Sequence, residues 1–85
     1  MTKKEVYMLE LFVMHSCPYC RKVMEYFDSH DVEYIKNDIS YQENHERLMN
    51  LGGIEQVPFL YDKEKSISMY ESDDIIKYVS ENIAK

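Results

Sequence analysis

The run Val6–Val13 is apolar at every position but Glu10, and it is followed within a few residues by Pro18 and a helical stripe. These two neighbours constrain the fold more than anything else in the chain. A strand apolar on both its alternating faces has to be covered on both sides, a pattern typical of strands inside α/β sheets. Pro18 suits the first position of a helix, where its missing N–H would have no partner anyway. From Tyr19 to His30, Cys20, Val23, Met24 and Phe27 recur at three- and four-residue spacing and mark one buried face. Val32–Lys36 alternates in character and reads as the next strand. A strand, a helix and a strand in that order place the two strands parallel, with a right-handed crossover.

The remainder completes a small sheet. Glu43–Leu51 reads as a short helix carrying Leu48, Met49 and Leu51, halted by Gly52 and Gly53. Val57-Pro58 leads into a short strand, Phe59–Tyr61, then a polar turn, Asp62–Lys65, then an antiparallel partner, Ser66–Tyr70. Ser72 offers a hydroxyl to cap a last helix, with Asp73 and Asp74 in its first turn and Ile75, Ile76, Val79 and Ile83 on its apolar face. The expected fold is α/β, in the order β-α-β-α-β-β-α, a four-stranded mixed sheet flanked by helices. At 85 residues one domain, 1–85, is expected.

Charge and composition exclude several roles. Sixteen acidic against ten basic residues, a net charge of −6, disfavour nucleic acid, whose binding depends on neutralising phosphates, and an anionic membrane surface. A hydrophobic content of 45% with 13% aromatics is too rich for a disordered acidic chain. No apolar run approaches the ~20 residues of a membrane span. Lys3 and Lys4 precede the first apolar run, but Glu5 and Glu10 bracket it and no small-residue cleavage site follows, unlike a secretory leader. A cytoplasmic protein with reduced thiols is expected.

The chain has two cysteines, Cys17 and Cys20. A disulfide closing so short a loop would restrain the unfolded chain by only about 2 kcal/mol, so the pair is a poor staple. Its placement suggests chemistry instead. Cys17 falls at the N-cap of the first helix, where unpaired N–H groups and the helix dipole favour an anion, and the thiolate is the nucleophilic form of cysteine. Cys20 lies one turn on, on the buried stripe, and is expected to be less ionised and less accessible. That asymmetry suits an attacking Cys17 and a resolving Cys20. A buried structural pair is the plain alternative, which the strand–loop–helix setting and Pro18 disfavour. A zinc site needs four ligands, usually in two close clusters; His15, His30 and His45 are scattered, so no metal is expected.

These residues carry a family resemblance. Cys17-Pro18-Tyr19-Cys20 resembles the dithiol site of glutaredoxins, small proteins of the thioredoxin fold. Gln56-Val57-Pro58 resembles their segment ending in a cis-proline, and Glu71-Ser72-Asp73 the segment that receives the γ-glutamyl end of glutathione. The stretch from Gly52 to Val79 also looks like the first domain of glutathione transferases, which add a helical domain; a chain ending at Lys85 is not expected to contain one. The resemblance implies catalysis by Cys17 and Cys20 and glutathione contacts from Tyr19, Gln56, Val57, Pro58, Glu71, Ser72 and Asp73. A cis Val57-Pro58 bond would present the Val57 backbone to a substrate as an extra strand. Pro58 starting a strand and Ser72 capping a helix are the plain readings of the same residues.

The sequence departs from the family pattern in three places, one of them Gln56, where glutaredoxins often carry Thr before Val-Pro. Met14 and Glu55 stand where glutaredoxins commonly carry basic residues. Arg21 and Lys22, in the first helical turn, replace that charge in part or simply form a solvated face.

The expected function is therefore glutathione-dependent thiol–disulfide exchange. Glutathione is the co-substrate, with no tightly bound cofactor. Disulfide-containing or glutathionylated proteins are the partners of a monomer. A donor reduced by a thioredoxin-reductase-type flavoprotein is the second reading. An iron–sulfur carrier is a third, which Pro18 and the second cysteine oppose.

Overall fold

The computed structural model describes residues 9–83. The elements are β1 (Leu9–Val13), α1 (Pro18–Ser29), β2 (Ile35–Asp38), α2 (Gln42–Leu51), β3 (Phe59–Asp62), β4 (Ile67–Met69) and α3 (Ser72–Asn82). The sheet order is β2-β1-β3-β4. β1 runs parallel to β2, with Leu11 opposite Lys36. β3 is antiparallel to both β1, Leu11 facing Leu60, and β4, Leu60 facing Met69. The expected mixed four-stranded sheet is present. Val6–Met8 of the expected first strand lie outside the described residues.

β1 is buried at every described position, because each face of the sheet is covered. Leu9, Leu11 and Val13 point to one side and pack with Cys20, Val23 and Phe27 of α1, Leu60, and Ile75 and Val79 of α3. Phe12 points to the other, where it meets Phe59, Ile39 and Leu48 of α2. Every side chain in these two lists contributes roughly 1.5–3 kcal/mol of burial if its residue is as large as Val or Leu. The sheet edge β2 is half-exposed and polar.

Four local expectations need correction. The second strand begins at Ile35 rather than Val32. The Val32 N–H donates instead to the Phe27 carbonyl, 2.9 Å away, and Asp31 takes a left-handed φ of 56°, so Val32 closes the end of α1 with its side chain tucked into the core. The strand then runs on through Asn37 and Asp38, whose polar side chains hide it from a pattern search. Asp62 is not a turn residue but the last residue of β3, 2% exposed. Its Oδ1 accepts the N–H groups of Glu64 (3.1 Å) and Lys65 (3.3 Å), and its Oδ2 the Tyr78 hydroxyl (2.5 Å); burial and that carboxylate push the Tyr78 phenol up to about 12. Ser72 is the first helical residue, not the cap. Glu71 is the N-cap, since the Ile75 N–H closes the first turn on the Glu71 carbonyl at 2.9 Å. Ile83 lies at the helix end, 40% exposed, instead of on the buried face.

A buried charge went unread in the sequence. Glu10, on the α2 side of β1, is 5% exposed. Arg47 of α2 grips it with two bonds, Nε to Oε1 at 2.9 Å and Nη2 to Oε2 at 2.6 Å. Asn37 adds a third at 3.0 Å. The Arg47 hydrogen bonds hold the Glu10 carboxyl below its ordinary value against the opposing effect of burial.

Candidate functional site

Cys17 caps α1 as the sequence predicts. Its backbone is extended, and its Sγ accepts the Cys20 N–H at 3.1 Å. The turn before it is closed by the Cys17 N–H donating to the Met14 carbonyl, 3.1 Å away, while the Arg21 N–H takes the Cys17 carbonyl into the helix. With Pro18 at the helix start and no acidic residue in the first turn, nothing there cancels the positive end of the α1 dipole. Both thiols are free; Cys17 is half-buried and Cys20 fully buried. Burial pushes the Cys20 thiol up to about 12, and the sulfur of Cys17 beside it adds to the effect. Cys20 is thus both a core residue under α1 and the inner member of the pair.

The second side of the site comes from the segment between α2 and β3. Gly52 caps α2 and Gly53 turns with a φ of 84°, a conformation that favours glycine. The Gln56 N–H folds back to the Ile54 carbonyl at 2.9 Å, and the Val57-Pro58 peptide is cis. The Val57 carbonyl oxygen thereby lies 4.0 Å from Cys17 Sγ. The third side is the start of α3.

Between these segments opens a cleft of about 350 Å³ lined by Tyr19, Gln56, Val57, Pro58, Tyr70, Glu71, Ser72 and Asp73. The seven residues named from the family resemblance as glutathione contacts therefore line one cleft, with Cys17 at its Val57 edge. Its walls bring carboxylates, the N-terminus of a helix and an exposed aromatic ring together. The Asp73 carboxylate pairs with Lys22 Nζ at 2.8 Å, joining α3 to α1 across solvent. Of the two positions where the family commonly carries a basic residue, Met14 is exposed beside the dithiol loop, and Glu55 lies 3.5 Å from His45 of α2.

Tyr70, which the sequence reading placed only at the end of the second hairpin strand, is the cleft residue it did not name. Its hydroxyl accepts the Ile54 N–H at 3.0 Å and donates to the Ile54 carbonyl at 2.8 Å, and its ring packs 4.6 Å from that of Phe59. The available signal was the Gly52-Gly53 pair. A Cβ on Gly52 would stand 2.1 Å from the Tyr70 hydroxyl oxygen, so a larger residue there would have to displace the ring. Among the described residues, no helix is long and apolar enough to cross a membrane.

Comparison with known proteins agrees with this geometry. The chain is similar in structure to a trimeric glutathione transferase from Leishmania, with 24% identity and a TM-score of 0.73 over 91% of this chain and 17% of that one. It resembles a thioredoxin-like protein at 17% identity and a TM-score of 0.78, covering 94% of this chain and all of the other. It is also similar to glutaredoxin 2 from Salmonella typhimurium, solved in complex with glutathione, at 25% identity and a TM-score of 0.71 over 87% of this chain and 33% of that one. The chain thus spans a sixth to a third of the transferase and glutaredoxin 2 chains it matches. No curated protein matches it significantly. Residues 11–85 match the family described as the glutathione S-transferase N-terminal domain. With the thioredoxin-like sheet and the cleft beside a cis-proline, the chain belongs to the family of glutathione S-transferase N-terminal domains.

Proposed function

We propose that this chain is a glutathione-dependent thiol–disulfide oxidoreductase of the glutaredoxin type. The observation that carries the reading is the meeting of a two-cysteine helix cap with the cleft. Cys17 Sγ approaches the Val57 carbonyl at the edge of a cavity whose far wall is the N-terminus of α3. A glutathione transferase needs only to bind and activate its thiol. A second thiol one turn behind the first is what disulfide exchange uses.

The Cys17 thiolate attacks one sulfur of a substrate disulfide. A new S–S bond joins Cys17 to that half, and the other half leaves as a thiolate that takes up a proton. Cys20 then attacks Cys17 Sγ and releases the bound half as a thiol, or glutathione attacks the other sulfur of the mixed disulfide, forming a bond to the bound half (oxidised glutathione where that half is itself glutathione) and releasing Cys17 as a thiolate. If Cys20 resolves, the resulting Cys17–Cys20 disulfide is reduced by two glutathione molecules, which leave as one oxidised glutathione. Bound glutathione would extend its backbone along Val57, rest its γ-glutamyl carboxylate at the N-terminus of α3, and offer its ammonium to Asp73. Tyr19 would flank the sulfur, and Gln56, Pro58, Glu71 and Ser72 complete the walls. The partners in this reading are glutathione and disulfide-bearing or glutathionylated proteins, met by a cytoplasmic monomer.

One observation favours a second electron source. Lys22 is engaged by Asp73, and Met14 and Glu55 bring no positive charge to an anionic tripeptide. A flavoprotein reductase of the thioredoxin-reductase kind would avoid that mismatch. The test is a coupled NADPH assay with a model disulfide in two arms, one with glutathione and glutathione reductase, the other with thioredoxin reductase. Turnover in the first arm, lost in Cys17→Ser and retained by Cys20→Ser on a glutathione mixed disulfide, is expected. Turnover in the second arm alone replaces glutathione as reductant. Full activity of Cys17→Ser overturns the mechanism.

A further inference from the structure

We infer that Tyr70 is a positioning residue for this reaction, holding the wall that carries Val57 in register with Cys17; the inference rests on the proposed exchange chemistry.

The wall in question has little regular structure of its own. Between the end of α2 and the start of β3 the chain passes through two glycines and a cis peptide, so its shape depends on the bonds that tie it down. The Tyr70 hydroxyl supplies two of these. It accepts the Ile54 N–H (3.0 Å) and donates to the Ile54 carbonyl (2.8 Å), satisfying both backbone groups of one residue as a neighbouring strand would. The same Ile54 oxygen accepts the Gln56 N–H at 2.9 Å. The Ile54 carbonyl is therefore a node. One bond reaches back to Tyr70, and the other turns the chain so that Val57 presents its own carbonyl 4.0 Å from Cys17 Sγ.

Two further contacts hold the tyrosine in place. Its ring leans on Phe59 at a centroid distance of 4.6 Å, and Phe59 is 1% exposed. The hydroxyl sits against Gly52, where an added Cβ would stand 2.1 Å from its oxygen. Along the chain Tyr70 immediately precedes Glu71, the N-cap of α3. One residue thus bonds one wall of the cleft and is covalently part of the opposite wall. Small errors in the placement of a reacting group are costly to catalysis, and Tyr70 fixes the spacing between the parts that would hold a substrate on either side of the sulfur.

Tyr70→Phe isolates the hydroxyl, since it keeps the ring against Phe59. Steady-state kinetics with a glutathione mixed disulfide of a small thiol, and alkylation of the reduced protein by iodoacetamide, are measured on both proteins alongside thermal unfolding. The expected result is a rise in KM of about tenfold, as for the loss of one or two net hydrogen bonds, with a smaller change in kcat. The rate at which iodoacetamide, which needs no wall, modifies Cys17 should stay within twofold. A KM within twofold of the parent overturns the inference. So does a KM rise accompanied by an equal fall in alkylation rate or a collapse of the thermal transition, because Tyr70 would then serve the fold at large. Absence of turnover by the parent protein with either reductant refutes instead the exchange chemistry.

Discussion

Replacing Arg47 by methionine tests whether the buried carboxylate of β1 depends on its partner. Methionine keeps much of the apolar stem but removes the guanidinium from Glu10 and from the face of Tyr61, 5.9 Å away. Stripping one partner from a buried ion pair costs about 3–5 kcal/mol. Two features lower that figure here. The Arg47 side chain is 43% exposed, so water reaches the vacated space, and Asn37 still donates to Oε1 at 3.0 Å. A loss of about 2 kcal/mol remains, with the contact to Tyr61 a minor part. A domain of this size holds roughly 4–13 kcal/mol in all, and each kcal/mol moves its melting temperature by about 4–8 °C. Thermal unfolding followed by far-UV circular dichroism at pH 7.5 should therefore fall by about 8–16 °C. The pH dependence carries the sharper test. In the parent protein the Glu10 carboxyl is held below its ordinary value of 4.5. Its contribution is complete above that value and is lost as pH falls through the lowered one. In Arg47→Met burial acts without the opposing guanidinium, the carboxyl rises, and its cost on folding disappears on protonation. The gap between the two proteins should therefore narrow from pH 7.5 to pH 3.5. A drop below 3 °C at pH 7.5, or an equal gap at both pH values, refutes the reasoning.

Two further outcomes follow from the packing around the cleft. Brief treatment of the reduced protein with iodoacetamide at pH 8.5 should modify Cys17 and leave Cys20 unlabelled, because the Cys20 thiol is fully buried and raised to about 12; peptide mapping that finds both labelled at similar rates counts against this. Gly52→Ala should lower stability by about 1–3 kcal/mol through overpacking, since the new Cβ would meet the Tyr70 hydroxyl oxygen at 2.1 Å and the buried Phe59 ring at 2.9 Å, and a melting temperature within 1 °C of the parent would show that the tyrosine swings away freely.

What the sequence revealed and concealed divides along physical lines. Apolar periodicity over Cys20, Val23 and Phe27 located α1, because a helix packed on a sheet has to repeat its buried face. Continuous apolarity located β1 for the same reason. The cleft residues were named through the family resemblance, which rests on short segments with special backbones: a helix cap, a proline and a helix start. Three things were hidden, and each is a contact between residues far apart in the chain. Glu10 reads as an interruption of a strand until Arg47, three elements later, is placed over it. Asp62 reads as a turn residue until Tyr78 arrives from α3. Tyr70 reads as one aromatic among several until the glycine turn is folded against it. The start of β2 was misplaced because Val32 has the residue type of a strand but makes the hydrogen bond of a helix exit, to Phe27.

The burial of Cys20 bears on the order of events in the proposed exchange. Its sulfur lies in the cluster that packs α1 on β1, so no substrate of any size reaches it before Cys17 has reacted. Its acidity points the same way. Desolvation is the main cause of the raised value, but the neighbouring Cys17 sulfur contributes through both a hydrogen bond and its charge. Once Cys17 is part of a mixed disulfide, that charge no longer exists and only burial opposes ionisation. Cys20 then becomes a better nucleophile at the step that needs one, directed at the sulfur its own turn of helix places beside it. A dithiol with two exposed, equally acidic members would lack this ordering. In the proposed exchange, the same hydrophobic packing that stabilises α1 would set the attacking thiol apart from the resolving one, and substitutions that loosen the contact of Val23 or Phe27 with β1 should raise the alkylation of Cys20 before they abolish folding.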